Sequence, residues 1–226
     1  MVLGGSMNRF AGSKLYHLLN LGFDLVVLNL LTIIGFLGIV TIVPSIIACF
    51  YVCKLQINNK STKIFKSYFE GFRLYFRKGL YLNLILFAVV AVLGFSALQF
   101  YDLMHIDSER IIYLIGFVIT LIMMATFIFL TFQFYLIIIY INNLRFLDTV
   151  KLSIFFTGRF VRTQMQILVW FLLSGIVIFF LGFHALIYLG LIGIALVIYL
   201  IVYGTKHLYN QLAEKFNISE ENMKAL

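Results

Sequence analysis

His17, Asn20 and Asp24 stand three and four residues apart in a run that is otherwise almost wholly apolar. On a helix this spacing places all three on one side. Asp24 is the only carboxylate well inside such a run, and Asn29 lies a little further along it. A hydrogen-bonding stripe that faces lipid is costly, so these residues belong toward a bundle interior or near the headgroups. Two roles fit them. They can tie helices together as polar contacts, or they can line the path of a small solute or ion. Pro44, the single proline of the chain, bears on the second role, because a broken membrane helix offers free backbone groups to a bound solute. Asn83, on a later apolar segment, is a candidate partner for Asp24.

The other reactive residue types form no constellation. His17, His105, His184 and His207 are scattered, and none stands at metal-ligand spacing from a cysteine or carboxylate. Cys49 and Cys53 share a helix face, a spacing that does not favour a disulfide along a regular helix, and they read as small apolar side chains. There is no phosphate-binding glycine loop and no nucleophile motif. The sequence predicts no catalytic residue, no metal and no cofactor, and the chain does not read as an enzyme.

These residues are set in a chain of 226 residues that is 63% hydrophobic and 12% charged. Soluble domains are roughly 45–50% apolar and about 25% charged. One water-soluble core cannot bury this much apolar surface, so the expected fold is all-α, a polytopic helical membrane protein. The chain reads as one membrane domain over residues 1–226. Residues 8–57 form an N-terminal helical hairpin or a broken helix. Residues 58–141 hold a basic interfacial helix and two spans, residues 142–205 a second interfacial helix and two spans, and residues 206–226 a cytoplasmic tail. The count is five full-length spans plus one short returning helix started by Pro44. From Pro44 to Ile57 a helix rises only about 21 Å, less than the hydrocarbon core of about 30 Å. The opening MVLGGSM reads as an added leader or a weakly structured start.

The net charge of +8 lies in short connections and not in a basic globular module, which argues against nucleic acid. Lys60, Lys63, Lys66, Arg73, Arg77 and Lys78 fall in one connection, and Arg145, Lys151, Arg159 and Arg162 in another. Both are expected on the cytoplasmic side, with Asp102, Asp107 and Glu109 outside. Arg9, Lys14 and Lys206 put both termini inside. That requires an even number of crossings and favours a returning helix after Pro44 over a kinked single span. Long apolar element, basic segment and span occur twice, in a register that sets Lys66 on Lys151 and Arg77 on Arg162.

Phe65, Phe69, Phe72 and Phe76 form an aromatic stripe at helical spacing, with Lys66, Arg73 and Arg77 beside it. In the second basic segment Leu147, Val150 and Ile154 share a face. Rings at the acyl boundary and cations at anionic headgroups suit an interfacial helix on anionic lipid. The same surface, including Lys151, Arg159 and Arg162, suits docking of a partner protein.

The linear pattern resembles the YesL-like family of uncharacterised bacterial membrane proteins. The resemblance rests on Leu28-Asn29-Leu30-Leu31, on Val40-Thr41-Ile42 before a small-residue turn, on Tyr51, and on the phenylalanine series that ends in basic residues. It covers roughly residues 10–100. Thr32 and Gly38 depart from it, standing where a tryptophan and a proline are usual. It implies a multi-span protein of the bacterial cytoplasmic membrane. Such family members are often encoded beside sugar ABC transporters, which implies an accessory role in carbohydrate uptake with transporter subunits as partners. It supplies no catalytic residue.

Overall fold

The computed structural model describes residues 14–58, 63–106, 110–141 and 144–224. Residues 1–13, which hold the expected leader and Arg9, lie outside the described residues, as do Lys60, Asp107, Glu109 and the side chains of His17 and Arg162. Every described element is helical: α1 Lys14–Phe36, a 3-10 turn Ile39–Thr41, α2 Ile42–Ile57, α3 Ile64–Ile106, α4 Arg110–Tyr140, α5 Phe146–Arg159, α6 Val161–Leu181, a 3-10 turn Gly182–His184, α7 Ala185–Tyr188, a π-turn Leu189–Gly193 and α8 Ile194–Lys224. Five helices are long and apolar enough to cross a membrane, or six if α5 and α6, bent by 87° at their junction, form one span.

The proline starts a returning helix. Pro44 sits in the first turn of α2, where its missing N–H falls among donors that have no intrahelical acceptor. Gly38 is extended, at φ −94° and ψ 114°, and breaks the helical path. The Thr41 hydroxyl lies 2.6 Å from the Gly35 carbonyl and 2.7 Å from the Gly38 carbonyl, serving groups left open at the end of α1. Ser45 donates back to the Thr41 carbonyl at 2.7 Å. Contacts along the pair run in opposite directions. Gly35 packs on Ser45 near the turn, and Asp24 meets Gln56 far from it. α1 and α2 are therefore an antiparallel hairpin.

α2 lies at the centre, its residues from Val43 to Cys53 buried or half-buried. α3 runs back along it with small residues at the points of contact. A Cβ on Gly71 would stand 2.7 Å from the Tyr51 ring, and one on Gly79 would stand 3.0 Å from the Pro44 Cα. Ile64, Tyr68, Tyr75 and Leu82 complete that buried face. The phenylalanine stripe sits one position off it. Phe65 and Phe69 are each 60% exposed, while Phe72 packs partly against the core.

The expected boundary between an interfacial helix and a span at Gly79 does not exist. α3 is one helix of 43 residues, rising about 64 Å. Its backbone ladder continues through Gly79, and the glycine there lets α3 pack closely on Pro44. About half of α3 must project beyond a core of about 30 Å. The half that carries Lys66, Arg73, Arg77 and Lys78 is the one suited to do so. The second basic segment does form a separate helix, α5, nearly perpendicular to α6. The two halves of the chain thus differ at the elements that made them look repeated.

The C-terminal part of α4 joins α2 in the core. Gln133 through Ile141 are all buried, as expected of a helix apolar on every side. Phe50 meets Phe132 at 6.1 Å and Tyr135 at 5.4 Å between ring centroids. α8 continues well past Gly204, where a polar tail was expected. The residues Ile198, Ile201, Val202, Thr205 and Tyr209 extend its buried face, and Tyr209 stacks toward Tyr140 at 5.5 Å.

Gly79→Ala should destabilise the bundle, because the added methyl meets backbone that cannot swing aside. A cost of about 1–3 kcal/mol is expected, read as a lower melting temperature in detergent. Gly94→Ala is the control, since its Cβ would meet nothing within 4 Å. It should leave the transition unchanged or raise it slightly.

Candidate functional site

The polar side chains expected to form one site are distributed along the hairpin. Asn29 is fully buried and reaches the π-turn. Its amide donates to the Gly190 carbonyl at 2.8 Å and accepts from the Ala195 N–H at 3.0 Å. Those two backbone groups are five residues apart, the pair that a π-turn brings face to face. The Asn29 amide fills the opening in the ladder with one donor and one acceptor. A Cβ on Gly190 would meet nothing within 4 Å, so the approach rests on the backbone groups that the π-turn presents.

Asp24 takes a different partner from the expected one. Gln56 donates to it at 3.1 Å. Asn83 instead donates to the Ile39 carbonyl at 3.1 Å, at the tip of the hairpin. The antiparallel register puts Gln56 and Pro44 at opposite ends of α2, about 18 Å apart along its axis. Asp24 therefore sits far from Pro44 and Asn83, and Asn20 is exposed. The structure joins Asp24 to Gln56 and Asn83 to Ile39, and it sends Asn29 to the π-turn.

Two lysines act at helix ends. Lys54 donates to the Ile139 carbonyl and stands 4.9 Å from the centroid of the Tyr140 ring. A cation at the last carbonyls of α4 opposes the negative end of the helix dipole. Lys78 donates to the Leu144 carbonyl at 2.7 Å, just beyond that end. Sequence reading counted Lys78 only as an orientation charge and gave Lys54 no role. The signal for both is position, a lysine at the edge of an apolar stretch with no acid beside it in the chain. Gln133 accepts from the Tyr209 hydroxyl, a bond between α4 and α8. Gln99 is exposed on α3.

Serine and threonine hydroxyls turn inward on their own helices. Thr149, Ser153 and Thr157 donate to the carbonyls of Arg145, Thr149 and Ser153, a ladder along α5 at distances from 2.7 to 3.1 Å. Thr149 and Ser153 are fully buried, so their satisfied side chains act as small apolar surface.

The basic segments meet. Lys78 bonds beyond α4, and Tyr81 of α3 lies 5.9 Å from Phe146 of α5. Phe65, Lys66, Phe69, Arg73 and Arg77 are exposed along α3 on the N-terminal side of this approach, and Leu147, Lys151, Ile154 and Arg159 are exposed along α5. Phe72 and Phe76 are half-buried. The Arg159 guanidinium stands 5.7 Å from the Phe155 ring. Among the described residues no group of histidine, cysteine, aspartate or glutamate could hold a metal ion. Cys49 and Cys53 are both free thiols in the core.

Asn29→Ala leaves the Gly190 carbonyl and the Ala195 N–H without their side-chain partner. It should cost about 1–3 kcal/mol of stability. Asn29→Asp keeps the acceptor but sets a carboxylate against the Gly190 carbonyl, and should cost more. Thermal unfolding in detergent ranks the three proteins, with wild type highest and Asn29→Asp lowest.

Residues 25–97 match the model of a family described as a protein of unknown function, DUF624. That is about a third of the chain, running from within α1 through α2 and most of α3. No curated protein and no solved structure matches the chain. The region similar to DUF624 thus corresponds to the hairpin and the long helix packed on it.

Proposed function

We propose that this protein is a non-catalytic accessory subunit of the bacterial cytoplasmic membrane, the partner of a carbohydrate transporter of the ABC type. The observation that carries this reading is that α3 and α5, which approach one another at Lys78–Leu144 and Tyr81–Phe146, both carry exposed cations beside exposed apolar or aromatic side chains. Aromatic side chains lie among the exposed cations, on helices tied by interior bonds from Asn29 to Gly190, Gln56 to Asp24 and Asn83 to Ile39. Such a surface can rest on anionic lipid and present charge to a partner's cytoplasmic domain. The resemblance to YesL-like proteins suggests the transporter as the partner class, while the DUF624 match over residues 25–97 names none.

The alternative, a small-solute channel centred on Asp24 and Pro44, finds less support in the geometry. The two residues lie toward opposite ends of the hairpin, and Asp24 already bonds Gln56.

Affinity purification of the full chain from native membranes in mild detergent should recover transporter subunits. Combined Lys66→Glu, Arg73→Glu and Lys151→Glu substitutions should lose them while the melting temperature holds. A partner-free wild-type preparation contradicts the proposal. The orientation is checked by cysteine labelling in intact cells. Asp102→Cys should react with an impermeant reagent and Lys151→Cys should not, against a low background from buried Cys49 and Cys53.

A further inference from the structure

A cavity of 480 Å³ opens between α3, α4, α6 and the start of α8, beside the π-turn that Asn29 holds. Leu86, Val90, Phe127, Ile128 and Val197 form much of its wall. Besides Tyr135 and Tyr188, two residues with hydroxyls line the wall, Thr131 and Ser174, and these donate to the Phe127 and Trp170 carbonyls of their own helices. They have no need of a hydrogen-bonding guest. A polar solute would lose its water here and gain almost nothing in return.

Three features define the occupant. Val90 and Ile128 line the cavity and are also exposed on the outer surface, so the mouth faces the apolar flank of α3 and α4. The outer surfaces of α3 and α4 also expose Phe87, Phe95, Ile115 and Ile122, which suits them to lipid. A second apolar cleft of 340 Å³, lined by Ala88, Val92 and Met123, shares Phe127 with the first. Leu86 and Val90 face the first cleft and Ala88 and Val92, about 200° around α3, face the second, so apolar space lies on both sides of that helix. Helices bound the space on several sides, so a partner helix of about 10 Å diameter could not enter without parting them.

We propose that this cavity binds one acyl chain of a membrane phospholipid, held by burial alone with its headgroup outside. The assignment does not depend on the accessory role proposed above.

The chain has a single tryptophan, Trp170, one helical turn from Ser174 on the cavity wall. The test titrates the full chain in mild detergent with a phosphatidylglycerol brominated on one acyl chain and follows quenching of Trp170. Saturable quenching is expected. Gly175→Phe should weaken it at least about tenfold. Gly175 lines the cavity and a Cβ there meets nothing within 4 Å, so the backbone tolerates a side chain directed at the space. Val90→Phe, from the opposite wall, should act alike, and unchanged melting temperatures confirm that both variants fold. Quenching that never saturates, or that is equal in wild type and variants, overturns the proposal. So does a change in oligomeric state on filling the cavity with quenching unaltered, which would assign the space to a second copy's side chains.

Discussion

Asn29 gives a hydrogen bond to Gly190 and takes one from Ala195, and the packing of the first helix depends on this exchange. Within a membrane no water is at hand to satisfy an opened helix ladder, and each unsatisfied group costs several kcal/mol. A π-turn in that setting persists where something fills it. Asn29 does so from a distant part of the chain, so α1 is fixed in height and rotation against the last helix. The hairpin that α1 makes with α2 then sets where α2 lies, and α2 is the element around which α3 and α4 pack.

The same constraint explains how the remaining polar groups are used. Thr and Ser hydroxyls return to carbonyls one turn back, Lys54 and Lys78 take carbonyls at and beyond the end of α4, and Gln133 meets Tyr209. A single interhelical hydrogen bond in a membrane contributes only about 0.6–2 kcal/mol. No one tie holds the bundle. Their larger effect is to choose among arrangements, since a wrong rotation leaves several groups unpaired at once. Close packing supplies the rest through small residues at contact points, with Gly35 on Ser45, Gly71 on Tyr51 and Gly79 on Pro44.

Much of this was legible where the signal is local. Composition gives the helical membrane class. Pro44, with Gly38, Thr41 and Ser45 around it, marks the start of a returning helix because proline's missing donor is tolerated only in a first turn. The outward position of Phe65, Phe69 and the cations follows from helical spacing. What was hidden is set by distant partners. Asn29 meets residues more than 160 positions away, and nothing near it in sequence points to them. The π-turn is likewise invisible, because Leu189–Gly193 reads as ordinary apolar helix. The close packing of α3 on Pro44 depends on Gly79, and Asp24 chose Gln56 over Asn83 through the hairpin register. Each of these is tertiary geometry that periodicity does not encode.

Function follows from the division between interior and surface. Interior polar groups are used to place helices, while exposed faces of α3 and α5 combine cations with aromatic rings and the apolar outer surfaces of α3 and α4 suit lipid. The account stands on the Asn29 clamp, and amide hydrogen exchange tests it most directly. In wild-type protein in bilayers the Ala195 amide should exchange slowly, and Asn29→Leu should speed it markedly while amides in the core of α4 stay protected. Equal protection of Ala195 in the two proteins would contradict the account.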